Sequence, residues 1–512
     1  MSTSQVAVAG AWGFIGRALA LLANLLATPF TIRMLGPGNY GLWTILQTCM
    51  SWASTADVGM GPASTKVGAE RYAHRDGVGE SAVVWTAIGI MTLTTSIVSL
   101  GVSIPAVGIL HLLGVHGNMV TVGVIALRIS CAIFVLQALA GVVNTPLQVR
   151  LKWFGQSIIG TIAALVAAIG VPVGILLVGG GVITASLVSV GSSALLAVGV
   201  LWLSIRAQPR LRRITFDKSI ALQMISYGGV LTVSALMTMP LTSAERFFLS
   251  NDHSPTVVGY WGVAVTLATT LYVVPEQFLA PLIPALTRLH ALKRFGELHA
   301  LYRKSLVGMF LILTPPAILL AVIAGPFLTL WAGPQYGRYA TVPFLIAVPG
   351  VWATCLARVP LSYLLATGRT KVIAKIQLYE LVPYIVGSWV LTAKFGVIGA
   401  ALIWSGRFVA ETIVFFIVAR TAASLPTSPL PTRRFNSVIS QLVLCAGAGI
   451  AIVVSHGILL RIGWVVALGI VYVIILWRLV LVPGERQGLL FLVDEALRRG
   501  ARPRHTRRVK WD

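Results

Sequence analysis

Carboxylates are scarce in this 512-residue chain: 15 Asp and Glu stand against 39 Lys and Arg, and charged residues make up only 11% of the total. A soluble domain carries about 25% charged residues, so a water-facing globule is excluded. Cysteine is also rare. Cys49, Cys131, Cys355 and Cys445 all fall inside apolar runs, where a thiol behaves as a small hydrophobe, so neither a disulfide framework nor a zinc site is expected. No Gly-Lys pair occurs, which removes a Walker-type phosphate loop. The eight histidines show no metal-ligand spacing. No connection between apolar runs is long enough to hold a soluble catalytic face, as a membrane glycosyltransferase or polymerase would require. The sequence therefore predicts no catalytic residues, no metal and no cofactor. The net charge of +24 need not imply nucleic acid, because its distribution has another cause.

What remains is apolar: 57% hydrophobic residues and a mean hydropathy of +0.87. A helix of about 20 apolar residues crosses the hydrocarbon of a bilayer. Cutting the runs at polar, Gly or Pro breaks predicts spans near 8–33, 40–64, 82–110, 119–143, 156–178, 181–205, 220–249, 257–284, 305–331, 341–366, 373–393, 396–419, 437–458 and 463–482. The first run has no preceding basic residue and is too long for a signal-peptide core, so it reads as a retained span. The expected fold class is all-α, a polytopic membrane protein of about 14 transmembrane helices.

Basic residues orient these spans, because cytoplasmic loops collect Lys and Arg. Of the 39, 28 fall on even-numbered connections and the tail 483–512, 4 on the other side and 7 within spans. Both termini are thus expected to be cytoplasmic. The tail reads as a topology signal, the alternative being a segment drawn to anionic lipid; "GLLFLVDEALRR" within it can form an amphipathic surface helix.

Two weak internal matches share nearly one offset. "NTPLQVRLKWFGQSIIGTI" from Asn144 aligns with "RVPLSYLLATGRTKVIAKI" from Arg358 at 214 residues, and Tyr40 in "NYGLW" lies 220 residues before Tyr260 in "GYWGV". Spans one to six then repeat as seven to twelve in the same orientation, a parallel-repeat transporter plan. The alternative is chance similarity in a Gly- and Leu-rich chain. The expected segments are a six-helix half at 1–210, a pseudo-symmetric six-helix half at 211–425, two C-terminal helices at 426–482 and a basic cytoplasmic tail at 483–512. In "MLGPGNYGLW" the glycines and Pro37 permit a short reversal, and Tyr40 and Trp43 suit a membrane interface.

These residues resemble a family. "RMLGPGNYGLW" with Leu35-Gly36 and Tyr40-Gly41, then Asp57 and Gly59, looks like the start of the polysaccharide-transporter branch of the multidrug/oligosaccharidyl-lipid/polysaccharide exporter superfamily. "VGYWGVAVTL" from Val258 resembles its partner in the second half. The resemblance covers the whole length and implies a flippase for undecaprenyl-pyrophosphate-linked oligosaccharide, serving O-antigen, capsule or exopolysaccharide synthesis in the bacterial cytoplasmic (inner) membrane. It implies as partners the lipid-linked oligosaccharide, membrane lipids, and polysaccharide polymerase and chain-length machinery. One departure is "SAERFFLSN", where Arg246 stands beside Glu245, which weakens any transfer of a coupling role to that acid.

Twelve charges fall inside predicted spans. Each would cost roughly 2.5–3.5 kcal/mol if it faced lipid at the helix centre. Arg246, Lys375 and Arg478 lie near span ends and are expected to snorkel. Arg407 and Glu411 sit four apart and can simply pair. Arg17, Arg128, Arg358, Asp57, Glu276 and Glu380 have no local partner and are expected to face a cavity between the halves. Guanidinium forks match pyrophosphate oxygens, so Arg17, Arg128, Arg358 and Arg407 are the substrate-binding candidates; for each, an interhelical bridge is the competing role. Asp57, Glu276, Glu380 and Glu411 are the ion-coupling candidates, because carboxylates inside a membrane can take up a proton or cation. Export by alternating access, coupled to an ion gradient, is the expected activity. The rivals are a multidrug or cation antiporter of the same fold and, further off, a polysaccharide polymerase.

Overall fold

The computed structural model describes residues 3–53, 59–150, 152–272, 275, 282–422 and 458–475. Among them every regular element is helical. Sixteen α-helices are present: α1 (Thr3–Ala53), α2 (Met60–Ala73), α3 (Gly77–Ser103), α4 (Ala106–Leu112), α5 (Asn118–Val143), α6 (Thr145–Val149), α7 (Trp153–Val178), α8 (Val182–Ala207), α9 (Lys218–Asp252), α10 (Pro255–Thr269), α11 (Leu282–Ala291), α12 (Phe295–Trp331), α13 (Pro334–Tyr339), α14 (Thr341–Ala366), α15 (Thr370–Ala422) and α16 (Ile458–Ile475). Eight helical stretches are long and apolar enough to cross a membrane.

Two of those eight are divided by a non-helical glycine. The stretch Lys371–Thr421 has 51 residues, about 76 Å at 1.5 Å per residue, against a hydrocarbon core of about 30 Å. Gly396 divides it, with φ 56° and ψ −129°. Gly36 divides α1 in the same way, with φ 73° and ψ 166°. Both φ values lie where a Cβ is disfavoured, so the chain reverses there, at the breaks between predicted spans one and two and spans eleven and twelve. Predicted spans 119–143, 156–178, 181–205, 220–249 and 341–366 each correspond to one described helix, whereas 82–110 is split between α3 and α4, 257–284 is broken between α10 and α11, and the helix of 305–331 begins ten residues earlier, at Phe295. Span 437–458 except its last residue, Arg478, Cys445 and the tail 483–512 lie outside the described residues, which therefore do not fix the total of fourteen.

The residue pattern explains why these helices belong in lipid. On α3, Val83, Ala87 and Met91 are buried while Leu93, Ile97 and Leu100 are exposed. Both faces are apolar, so the outer face has no reason to meet water. Hydroxyls satisfy themselves within the helix: Thr44, Thr48 and Thr95 each donate to the carbonyl four residues back. The chain forms two compact units, residues 1–313 with 324–423, and residues 314–323 with 424–512; in the second the described residues are 314–323 of α12 and the helix α16.

In the first unit, connections near residues 36, 114, 181, 253 and 396 gather at one end. A Cβ on Gly114 would lie 2.1 Å from the Ser250 carbonyl oxygen, Gly181 faces Leu35, and Gly396 faces His253. At the other end polar groups are tightly joined. Asp76 caps α3 by accepting from the Gly79 amide at 2.8 Å, and that hydrogen bond, with Arg71 beside it, holds its carboxyl below the usual range. Asp217 caps α9 through the Ser219 hydroxyl and amide, which lower its pKa likewise. Glu80, 1% exposed, pairs with Arg150, whose second nitrogen donates to Glu80 Oε2 at 2.9 Å. Gln208 donates to the Gly77 carbonyl at 2.8 Å, and the Tyr72 ring lies 4.8 Å from the Arg150 guanidinium.

Removing one partner of a buried ion pair strands the other charge, at about 3–5 kcal/mol. Glu80→Ala is therefore expected to lower the thermal midpoint of the purified protein sharply, with Glu80→Ala/Arg150→Met recovering much of the loss. Additive losses in the double variant would contradict a coupled pair.

The Gly36 end also explains the repeated tyrosine motif. A Cβ on Gly41 would fall 1.7 Å from the Pro255 carbonyl oxygen, and one on Gly259 would fall 2.9 Å from that of Pro37. Gly262 faces the Thr44 side chain in the same way. The two matching motifs pack directly on one another as a close helix crossing. Tyr40 is only 8% exposed and meets the Tyr336 ring edge-on at 6.4 Å, while Tyr260 contacts Tyr336 at 5.2 Å and stacks on Tyr339 at 5.1 Å. The expected interface position of Tyr40 is therefore corrected: its ring fills the space beside the crossing.

Candidate functional site

The reversal at Gly396 creates the site. It folds the legs of α15 back on each other so closely that a Cβ on Gly399 would lie 1.8 Å from the Leu391 carbonyl oxygen, and one on Gly387 would lie 2.5 Å from Ile403. Glu380 and Tyr384, one turn apart on the first leg, then face Arg407 and Glu411, one turn apart on the second. Arg407 Nη1 lies 3.6 Å from Glu380 Oε2 and 4.0 Å from Glu411 Oε2. Its guanidinium lies 4.2 Å from the Phe408 ring centre and 5.3 Å from that of Tyr384.

Arg407 is held by charge and ring faces rather than by hydrogen bonds. Its side chain is 9% exposed, and its Nε and both Glu380 carboxylate oxygens are buried without a hydrogen-bond partner. Planar guanidinium donors left open in this way are matched to a planar or tetrahedral oxyanion. Beside them lies a cavity of about 400 Å³ lined by Arg358, Arg407, Glu411, Gln377, Thr242 and Tyr272, among others. The Arg358 side chain is exposed into it.

A second buried group adjoins the first. Pro240 and the non-helical Ser243 interrupt α9, and just past the break Glu245 is fully buried. Glu245 Oε1 accepts from Trp261 Nε1 at 3.0 Å, and Oε2 accepts from the Tyr384 hydroxyl at 2.6 Å. Arg246 Nε lies 3.8 Å from Glu245 Oε1, and its Nη1 donates to Thr48 Oγ1 at 3.0 Å. Trp52 Nε1 donates to Ser243 Oγ at 2.6 Å, tying the second leg of α1 to the break.

The structure brings together four of the eight candidates: Arg358, Arg407, Glu380 and Glu411. Arg128 is exposed on α5 and does not line this cavity. Arg17 belongs to α1, but its side chain, like Asp57 and Glu276, lies outside the described residues. This cavity is lined by residues between 241 and 415. Two expectations are corrected. Glu380 has a partner, Arg407, which the linear sequence hid because 27 residues and a chain reversal separate them. Arg246 does not snorkel, because Thr48 and the buried Glu245 hold its guanidinium inside.

Sequence reasoning missed Tyr384, Trp261 and the engagement of Glu245. The Glu380–Tyr384 spacing of one turn was visible, yet the Tyr384–Glu245 bond joins residues 139 apart. Among the described residues no group of three His, Cys, Asp or Glu could hold a metal ion.

Comparison with known proteins gives the molecular context. Residues 31–341 match the family described as "Polysaccharide biosynthesis protein". A Shigella flexneri protein named "Putative O-antigen transporter" is 26% identical over 417 residues, covering 79% of this chain and 95% of that protein. The solved structure of the lipid II flippase MurJ in an inward closed conformation superposes with a TM-score of 0.68 at 13% identity, covering 91% of this chain and 97% of the other. An inward-facing multidrug resistance MATE transporter gives 0.66 at 13% identity, covering 81% and 100%. At such identities these two structures establish a shared fold.

Proposed function

This chain belongs to the polysaccharide biosynthesis protein family, as a multi-pass membrane transporter rather than an enzyme, and from that premise we propose that it flips a lipid-linked oligosaccharide across the bacterial cytoplasmic membrane. The observation that carries this reading is the pair of arginines at the cavity, Arg407 with an open Nε and Arg358 exposed beside it. In this proposal the two guanidinium groups take the pyrophosphate that joins lipid to sugar. Arg407 can turn toward the ligand without breaking hydrogen bonds, because its contacts with Glu380 and Glu411 are charge contacts of 3.6 and 4.0 Å. Glu380 and Glu411 then serve as the ion-coupling pair. A guanidinium already sits between them where a metal cation would, so a proton is the fitting coupled ion.

The further parts of the proposal are two six-helix halves, 1–210 and 211–425, rocking in alternating access, with both termini cytoplasmic. The charge pattern supports that orientation. Arg71, Arg75, Arg150, Arg210, Arg212 and Arg213 lie at the end of the first unit opposite Gly36, where Arg33 and Lys394 lie.

The test is transport of a fluorescent undecaprenyl-pyrophosphate oligosaccharide in proteoliposomes. Arg358→Ala is expected to lower the rate about tenfold or more, the loss of one charge-assisted fork. A full rate in Arg358→Ala, or exchange of cationic drugs in place of the lipid, would sink the proposal and favour the antiporter.

A further inference from the structure

We infer that Glu245, Arg246 and Thr48 are positioning residues that transmit the state of the Arg407 cavity to the crossing at Gly41. The inference rests on the transport reading given above. Contacts run without a gap from one place to the other. The Arg407 guanidinium lies over the Tyr384 ring, whose hydroxyl donates to Glu245. Glu245 is adjacent to Arg246, whose guanidinium donates to Thr48 on the second leg of α1. Thr48 in turn donates to the Thr44 carbonyl, and the Thr44 side chain packs where a Cβ on Gly262 of α10 would lie. The Gly41–Pro255 contact lies one turn further along that leg.

The chemistry of this chain makes it responsive. Glu245 is fully buried, and its two oxygens are held by Trp261 and Tyr384 from two other helices. Arg246 is its charge neighbour, with a side chain 20% exposed. A ligand oxyanion that draws Arg407 into the cavity removes a positive charge from the Tyr384 ring and shifts the hydroxyl that Glu245 holds. Glu245 cannot lose that donor cheaply inside the membrane, so the rearrangement passes to Arg246 and to its bond on α1. Neither Glu245 nor Thr48 lines the cavity, so the group acts on the helix crossing and not on the ligand.

The test places spin labels at the exposed Leu112 and Val342, near the Gly36 end, in the full chain in nanodiscs. Distance distributions are recorded with and without inorganic pyrophosphate, alongside transport kinetics in proteoliposomes. Thr48→Val preserves size while removing the acceptor, and Glu245→Gln preserves shape while removing charge. Both are expected to lower kcat for transport about tenfold with KM and pyrophosphate affinity within about twofold of the parent, and Arg246→Lys is expected to keep part of the rate that Arg246→Ala loses. Independently of any ligand, Arg407→Ala should shift the distance distribution in the parent and leave it unshifted in the Thr48→Val background.

Additive effects of Arg407→Ala and Thr48→Val on the distribution would overturn the inference, as would a parallel loss of affinity and rate in Thr48→Val. That ligand-free cycle also separates the two readings. Absence of pyrophosphate binding in the parent protein overturns the pyrophosphate assignment, while coupling between Arg407 and Thr48 is still decided by the cycle.

Discussion

Gly41→Ala is expected to abolish most transport while leaving the helices intact. The added Cβ would lie 1.7 Å from the Pro255 carbonyl oxygen and 2.4 Å from its carbon. Those atoms are backbone and cannot rotate away, so the second leg of α1 and the start of α10 must separate. Overpacking of this kind costs on the order of 1–3 kcal/mol where side chains can adjust, and here there are none to adjust. The closed crossing would be lost, and with it the aromatic packing of Tyr40 and Tyr260 on Tyr336. Gly141 is the control: nothing lies within 4 Å of the position its Cβ would take. Gly141→Ala should be neutral or stabilise its helix by up to about 1 kcal/mol. Proteoliposome transport and the Leu112–Val342 label distance read the contrast, and equal behaviour of the two alanine variants would refute the close-crossing account.

Arg407→Ala should produce the second large effect, with two separable components. Without the guanidinium, Glu380 and Glu411 face each other in the membrane interior without a cation, at a cost of about 3–5 kcal/mol for a broken buried pair. The thermal midpoint of the purified protein should fall accordingly. Glu380→Gln in the same chain removes one of the two stranded charges and the repulsion between them and should restore part of the midpoint, yet transport should remain lost because the anion-binding fork is gone. Restoration of both together would assign Arg407 a purely structural role. Arg407→Lys is expected to retain stability better than transport, since an ammonium supplies the charge but not the planar donor set.

The outcome for individual residues shows where local pattern stops being informative. Arg407 and Glu411 were legible as a pair because one helical turn is a fixed distance. Glu380 was not, because its neighbour depended on how sharply the chain reversed at Gly396. Arg246 was misread as a lipid-end residue for a similar reason: its position near the end of α9 was right, but the direction of its side chain was set by Thr48 on another helix. For Glu245 the sequence shows only Arg246 beside it. In the folded protein that neighbour is 3.8 Å away, and the hydrogen bonds come from Trp261 and Tyr384.

Hydropathy and the Gly and Pro breaks by themselves determined that this is an all-α membrane protein and where the chain turns at Gly36 and Gly396. Both follow from the bilayer, which admits only apolar segments that satisfy their own backbone. The family was legible in the same stretch, since the glycine-tyrosine motif around Gly36 is contiguous. Only the tertiary structure decided that the two copies of that motif touch, and that the cavity is lined from α9 onward. It alone placed Arg407 between two carboxylates. Those are contacts between segments far apart in the chain, and a one-dimensional pattern carries no distance between them.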